Sequence, residues 1–276
     1  MNKSSMCDYF RFFWRAIILL RGRNRGLRRL FLSLCGTALA APASALVGPA
    51  REAPQFAPYV VMVMYRSGGD TSFCTASVIM SNIVLTAAHC VSDLSDTRVF
   101  YRGGLGKLAL FDVATVAINP DYKPNAWRQH FVSIDLALLR LKEPLPSSFQ
   151  PVELADFGPI ATGQRLRIAG FGRADEDVSG TSGILRVGIL SVTGPKSKLL
   201  AFLVDPDGFG LGGCTGDSGA PIFAIDRPLL VAVAIRAKGK GGYSCGASTE
   251  AVQIGPQLPW IHEILRAWGT TRGMAQ

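Results

Sequence analysis

Gly216-Asp217-Ser218-Gly219-Ala220-Pro221 is the stretch on which the reading of this chain turns. Serine is a weak nucleophile at neutral pH unless a base takes its proton. Glycines on either side of Ser218 free the backbone to turn, so that two N–H groups aim at one point. Negative charge gathers at that point in a tetrahedral intermediate. Taken alone, the hexapeptide also fits an ordinary turn. It leads into an apolar run, 221–224, and so lacks the strand–turn–helix frame of a G-x-S-x-G hydrolase.

Two segments upstream supply what such a serine needs. Thr86-Ala87-Ala88-His89-Cys90 places a histidine at the end of the apolar run Ile83-Val84-Leu85, near a core. By itself His89 reads equally well as structural. Cys90 and the upstream Cys74 can fix the segment covalently, and closing a loop of this size is worth roughly 3 kcal/mol. Ile134-Asp135-Leu136-Ala137-Leu138-Leu139 sets an aspartate against an apolar run, where an unpaired charge is costly. An imidazole N–H facing it would offset that cost; a plain strand-edge aspartate is the other reading.

The formal charge of +9 does not describe a nucleic-acid binder. Eight of the 29 basic residues and one of the 20 acids lie within residues 1–29, and 30–45 carry no charge. The rest of the chain is left at +2, with no basic stripe to track phosphates. The basicity belongs to an export leader, residues 1–45: a basic region ending at Arg28-Arg29, an apolar run 30–40, then Ala43-Ser44-Ala45 as an A-x-A cleavage site. Arg28-Arg29-Leu30-Phe31-Leu32 resembles the twin-arginine export motif, and an ordinary secretory signal is the alternative. Export to the periplasm or the medium is expected, with membrane contact only in transit. A rival places the protein on a surface, anchored through Cys35 or the apolar patch 10–20.

Past the leader, short apolar runs alternate with Gly, Pro, Asp and Asn clusters. Strands are expected at 59–65, 76–86, 99–101, 107–118, 136–141, 165–169, 184–192, 199–204, 221–224 and 229–235. Many short strands at this spacing mean a β-sandwich or barrel. One helix is expected near the end. Pro259 starts it, Trp260, Ile261, Ile264, Leu265 and Trp268 share one face, and Gly269 caps it. The proline-rich stretch 142–159 reads as a link between two halves. Four cysteines remain after the leader, an even number suited to disulfides in an oxidising compartment. With three histidines and no C-x-x-C, a zinc site is not expected.

Together the three segments resemble the chymotrypsin–trypsin family of serine proteases, as an exported bacterial member. T-A-A-H-C stands whole at 86–90 and D-[IL]-A-L-[LI]-[RK]-L at 135–141. G-D-S-G-G-P is present with Ala220 in place of its last glycine. The likeness covers residues 46–268. It implies an all-β fold of two six-stranded antiparallel β-barrels with a C-terminal α-helix. Residues 46–152 would form the barrel that carries His89 and Asp135, and 153–276 the barrel that carries Ser218, plus the helix. It implies that Ser218 is the nucleophile of a serine endopeptidase, His89 its base and then acid, and Asp135 the group that orients the imidazole. The backbone N–H groups of Gly216 and Ser218 would form the oxyanion hole. Cys74 would pair with Cys90 and Cys214 with Cys245. A protein or peptide substrate, a monomer, and neither cofactor nor metal are implied.

In this family a cut, apolar N-terminus folds inward and its ammonium pairs with the aspartate before the serine, here Asp217. Leu46-Val47-Gly48-Pro49 resembles the family's I-V-G-G start, and Pro58-Tyr59-Val60-Val61 its P-Y-Q-V strand. Leu46 directly follows the A-x-A site, so signal removal itself would make the active end. The substrate pocket departs from trypsin. Gly212 stands where an aspartate would select Lys or Arg. Ile235-Arg236-Ala237 replaces S-W-G, and Thr249 replaces a wall glycine. A small or medium apolar residue before the cut bond is expected; Arg236, Lys238 and Lys240 offer an acidic preference instead, or form a solvated loop. Ile235 also removes a hydroxyl that helps hold the triad aspartate. A catalytically idle binding protein of the same fold is therefore the alternative. His130 and His262 need no functional role.

Overall fold

Where consecutive residues of a strand are apolar, as at Val60–Val63 and Ile83–Leu85, the structure has two places to bury them. The computed structural model describes residues 46–270 apart from 68, 92, 104–105, 130, 157–159 and 196. The leader, with its export motif, Cys7, Cys35 and the 43–45 cleavage site, lies outside the described residues, as does His130. In chain order the strands are β1 (Arg51–Glu52), β2 (Val60–Ser67), β3 (Asp70–Met80), β4 (Ile83–Thr86), β5 (Arg98–Arg102), β6 (Leu108–Ile118) and β7 (Ala137–Leu141). There follow β8 (Glu153–Leu154), β9 (Arg165–Gly170), β10 (Arg186–Pro195), β11 (Leu200–Val204), β12 (Pro221–Phe223), β13 (Leu229–Lys238) and β14 (Ser248–Gln253), then helix α1 (Leu258–Ala267).

Two closed six-stranded antiparallel barrels result. The first runs β2-β3-β4-β7-β6-β5. The second runs β10-β11-β14-β13-β12-β9 and is closed by β9 pairing with β10. Alternation decides which core each residue enters. Val61 and Val63 of β2 point into the first barrel with Val84, Val99 and Leu139. Val60 and Met62, one step out of phase, join Leu85 and Leu138 in a cluster that also takes Phe223, Val252 and the helix residues Leu258, Ile261 and Leu265. That shared cluster joins the barrels, and Phe56 stacks on Phe223 within it at 5.7 Å. The second barrel is filled by Leu166, Ile168, Leu190 and Leu203.

Three details differ from the expectation. The run 76–86 is two strands, because residues 81–82 turn between β3 and β4. Strand β14 had no apolar run to announce it: Thr249, Glu250 and Gln253 are buried polar residues. Each is matched by a partner; Gln253, for example, accepts from Ile160 N at 3.0 Å. The N-terminal segment does not belong to the first barrel alone, since β1 pairs with β10. Helix α1 presents the expected face, and Gly269 closes it at φ 71° with its N–H donated to Arg266 O. Both disulfides are present, Cys74–Cys90 and Cys214–Cys245. They suit a protein that works outside the reducing cytosol. Among the described residues no helix is long and apolar enough to cross a membrane.

Candidate active site

His89 lies in a 3-10 turn, Ala88–Cys90, at the end of β4. The Cys74–Cys90 disulfide ties that turn to β3. Asp135 stands just before β7. Its Oδ1 accepts the backbone N–H of His89 at 2.9 Å, and its Oδ2 lies 2.6 Å from His89 Nδ1. One carboxylate therefore holds both the main chain and the ring. The short contact places the ring proton on Nδ1 and leaves Nε2 as the basic nitrogen. Asp135 is the more sheltered partner, with side-chain exposures of 13% against 32% for His89. Its charge, after burial, helps push the hydroxyl of Tyr122 up to about 12.

The serine arrives from the other barrel on a loop pinned to the first. Ser218 O accepts from Thr75 N at 2.8 Å, and Thr75 Oγ1 donates to Gly216 O at 2.9 Å while accepting Phe171 N at 3.2 Å. Gly219 N donates to Ala234 O, Ala220 N to Asp217 O, and Asp217 N to Cys214 O. Gly216 has φ 97°, and a Cβ there would meet the Phe73 ring at 2.8 Å. Nothing in the sequence marks Thr75 for this task, because its partners lie 96 and 141 residues away.

Asp217 is 2% exposed. Its carboxylate accepts Gly172 N at 2.8 Å and Cys214 N at 2.9 Å. Burial pushes its carboxyl up to about 7, against the pull of those N–H groups and of Arg186. The unfolded value is about 3.9, so the native state keeps a proton that the unfolded chain has released. This contribution to stability is complete below about pH 4 and is lost as pH rises through about 7. Asp217→Asn should flatten the fall in melting temperature between about pH 4 and pH 7. An equal fall in both proteins would remove Asp217 as its source. Leu46 is wholly buried in the second barrel's cluster, and Gly212 N donates to Val47 O at 3.2 Å.

His89, Asp135, Gly216 and Ser218 line one cleft of about 820 Å³. Ala237 and Ile235 are in its wall. Thr249 stands behind, wholly buried, with its Oγ1 accepting Gly213 N at 3.0 Å. Gly212, expected in the pocket, instead backs onto Gly246 and holds Val47. Arg236 is bound to Glu250, which is 6% exposed at its side chain, so its charge is met within the protein. Lys238 lies over the Phe202 ring at 5.9 Å. Glu176, which the sequence reading passed over, accepts the N–H groups of Ser244 and Cys245 at the cleft edge. Among the described residues two groups of candidate metal ligands occur, Cys74-His89-Cys90 and Glu176-Cys214-Cys245, but in each the sulfurs are joined as a disulfide.

The comparisons agree with this architecture. A family model for Trypsin matches residues 46–261. The chain is 27% identical over 263 residues to the serine proteinase stubble of Drosophila melanogaster, covering 85% of this chain and 33% of that protein. It thus spans about a third of the length of the curated relative it matches. The scabies mite inactivated protease paralogue S-I1 is similar in structure, with TM-score 0.65 at 22% identity, covering 80% of this chain and 99% of that one. So is neuropsin, a serine protease expressed in the limbic system of mouse brain, with TM-score 0.64 at 21% identity over 79% and 99%. The structural likenesses speak to the fold, and the family match to descent: the chain belongs to the trypsin family of serine proteases.

Proposed function

We propose that the chain is an exported serine endopeptidase that cuts peptide bonds through an acyl-enzyme. The observation that carries this reading is the 2.6 Å contact of His89 Nδ1 with Asp135 Oδ2 in the cleft that also holds Ser218. Ser218 Oγ attacks the scissile carbonyl and gives its proton to His89 Nε2. The imidazolium is stabilised by Asp135 and then protonates the leaving amine. Water repeats the sequence to release the acid. The N–H groups of Gly216 and Ser218 receive the oxyanion. The α-ammonium freed at Leu46 pairs with Asp217. The buried position of Leu46 and the Val47–Gly212 bridge support this. Mapping a fluorophosphonate label to Ser218 in the exported protein tests the reading, and a correctly processed protein that takes no label would sink it. The rival, an idle fold, draws on Ile235, whose side chain offers Asp135 no hydroxyl.

The substrate residue before the cut bond is small and apolar on this reading. A Cβ on Gly213 would lie 3.3 Å from Thr249 Oγ1 and 3.8 Å from Ala237 Cβ, so these positions pack together behind the wall that Ala237 gives the cleft. Thr249→Gly is expected to raise kcat/KM for peptides with Leu or Phe there by about tenfold or more relative to Ala, the worth of one or two methylenes of space. A peptide library read on both proteins checks this; an unchanged preference would place the selecting wall elsewhere.

A further inference from the structure

Cys74, Ala76 and Val78 of β3 fill the first barrel. Thr75, out of phase with them and wholly buried, turns its side chain to the other face, toward the second barrel. The ladder between β3 and β4 runs from Ser77, opposite Leu85, to Met80, opposite Ile83. Thr75 lies past its end, and its main-chain groups on that edge take other partners. Its N–H donates to Ser218 O at 2.8 Å, and its carbonyl accepts from Thr86 Oγ1 at 2.8 Å.

The hydroxyl of Thr75 reaches the serine loop as well. Phe171 N lies 3.2 Å from Thr75 Oγ1 and can only donate, so the oxygen accepts there. Its single proton is left for Gly216 O, at 2.9 Å. Gly216 is where an anchor has most effect. Glycine has more backbone freedom to lose than any other residue, and Gly216 is held at φ 97°. A carbonyl fixed by a buried hydrogen bond fixes the peptide plane that follows Gly216. That limits how far the N–H on the other side of the α-carbon can turn.

We propose that Thr75 is a positioning residue for the oxyanion hole: its hydroxyl holds the Gly216 carbonyl, so that the Gly216 N–H keeps its aim at the developing negative charge. The inference rests on the serine-protease reading above and adds to it a side chain from the opposite barrel. Thr75 N steadies Ser218 while Thr75 Oγ1 steadies Gly216, so one residue sets both donors against the barrel that carries His89. Thr75 is buried and acts only through the loop. A donor held in place favours the transition state over the bound substrate. The hydroxyl should therefore bear on kcat and leave KM alone.

The test is made on the disulfide-bonded protein, with fluorophosphonate labelling of the wild type as its first step. Thr75→Val keeps the shape of the side chain and the main-chain bond to Ser218, and removes the hydroxyl. On a peptide amide that the wild type cleaves, kcat and kcat/KM should fall together by about tenfold or more, with KM within about twofold. Affinity for a peptide boronate, which forms a tetrahedral adduct on Ser218, should weaken by a similar factor. Thr75→Ser, which keeps the hydroxyl and loses the methyl, should stay within about threefold of wild type. A role in packing alone would give the reverse order, with valine mild and serine poor. That reverse order overturns the proposal, and so does a Thr75→Val loss confined to KM. The valine variant also leaves Phe171 N and Gly216 O without their partner, at a cost in stability. If it does not fold, Thr75→Ala set against Thr75→Ser decides, because those two differ only in the hydroxyl: a gap of about tenfold in kcat is expected, and equal kcat overturns the proposal. A wild type that takes no label brings down the protease reading and this inference with it. A labelled wild type matched by Thr75→Val brings down this inference alone.

Discussion

Ser218→Ala lowers kcat/KM on a cleavable peptide by about 10⁴-fold or more, with the melting temperature unchanged. The two halves of that expectation come from different atoms. The hydroxyl carries the chemistry, because without it no acyl-enzyme forms and only the oxyanion donors and substrate binding remain. The fold is held by the backbone of the same residue, whose oxygen accepts from Thr75 N and is present in alanine too. His89→Ala should cost about as much, and the double variant no more than either single one, since the pair works as a unit. Asp135→Asn should also cost about 10⁴-fold, for a separate reason. An amide at 2.6 Å from Nδ1 favours the wrong tautomer, placing the ring proton on Nε2 and leaving no base toward the serine. Burst-phase and steady-state kinetics on a peptide that the wild type cleaves read all four variants. Residual turnover in Ser218→Ala within tenfold of wild type would point to a nucleophile other than Ser218 and dismantle the mechanism.

The three segments proposed to carry the chemistry stand out in the sequence because what each would need is local. His89 needs a turn and a neighbouring cysteine, Asp135 an apolar strand start, Ser218 flanking glycines, and short strings encode all three. The β class was legible from short apolar runs between turn residues and the two barrels from the family resemblance; the runs do not alternate because residues such as Val60 and Val61 enter two different cores. What escaped the sequence is what depends on pairing across distance. Strand β14 is mostly polar, and the burial of its polar residues makes sense only once Glu250 meets Arg236 and Thr249 meets Gly213. No local pattern reports that Arg186 will be buried or that Gly170 will stand opposite it. The break at residues 81–82 was hidden because apolar residues lie on both sides of it.

Gly219→Ala should be strongly damaging both to the fold and to the serine loop. Gly219 has φ +80°, where an alanine costs about 1–2 kcal/mol for its backbone alone. Gly163, at φ +81° with nothing within 4 Å of an added Cβ, shows that cost in isolation. At Gly219 the new carbon would stand 2.1 Å from Thr75 O and 2.2 Å from Thr86 Oγ1. Neither neighbour can retreat cheaply. Thr86 Oγ1 donates to Thr75 O at 2.8 Å, both threonines are wholly buried, and Thr75 N holds Ser218 O. The methyl would wedge the serine loop away from β3 and β4 at the point where the barrels meet. Overpacking of this kind adds about 1–3 kcal/mol, for a total of about 2–5 kcal/mol. In the folded remainder, a displacement of about 1 Å at Ser218 should lower kcat about a hundredfold. Urea midpoints for Gly219→Ala and Gly163→Ala, with active-site titration of each, separate the two contributions. Equal midpoints and equal titration rates would show that the serine loop does not bear on Thr75 and Thr86, and the tie between the barrels at the nucleophile would have to be abandoned.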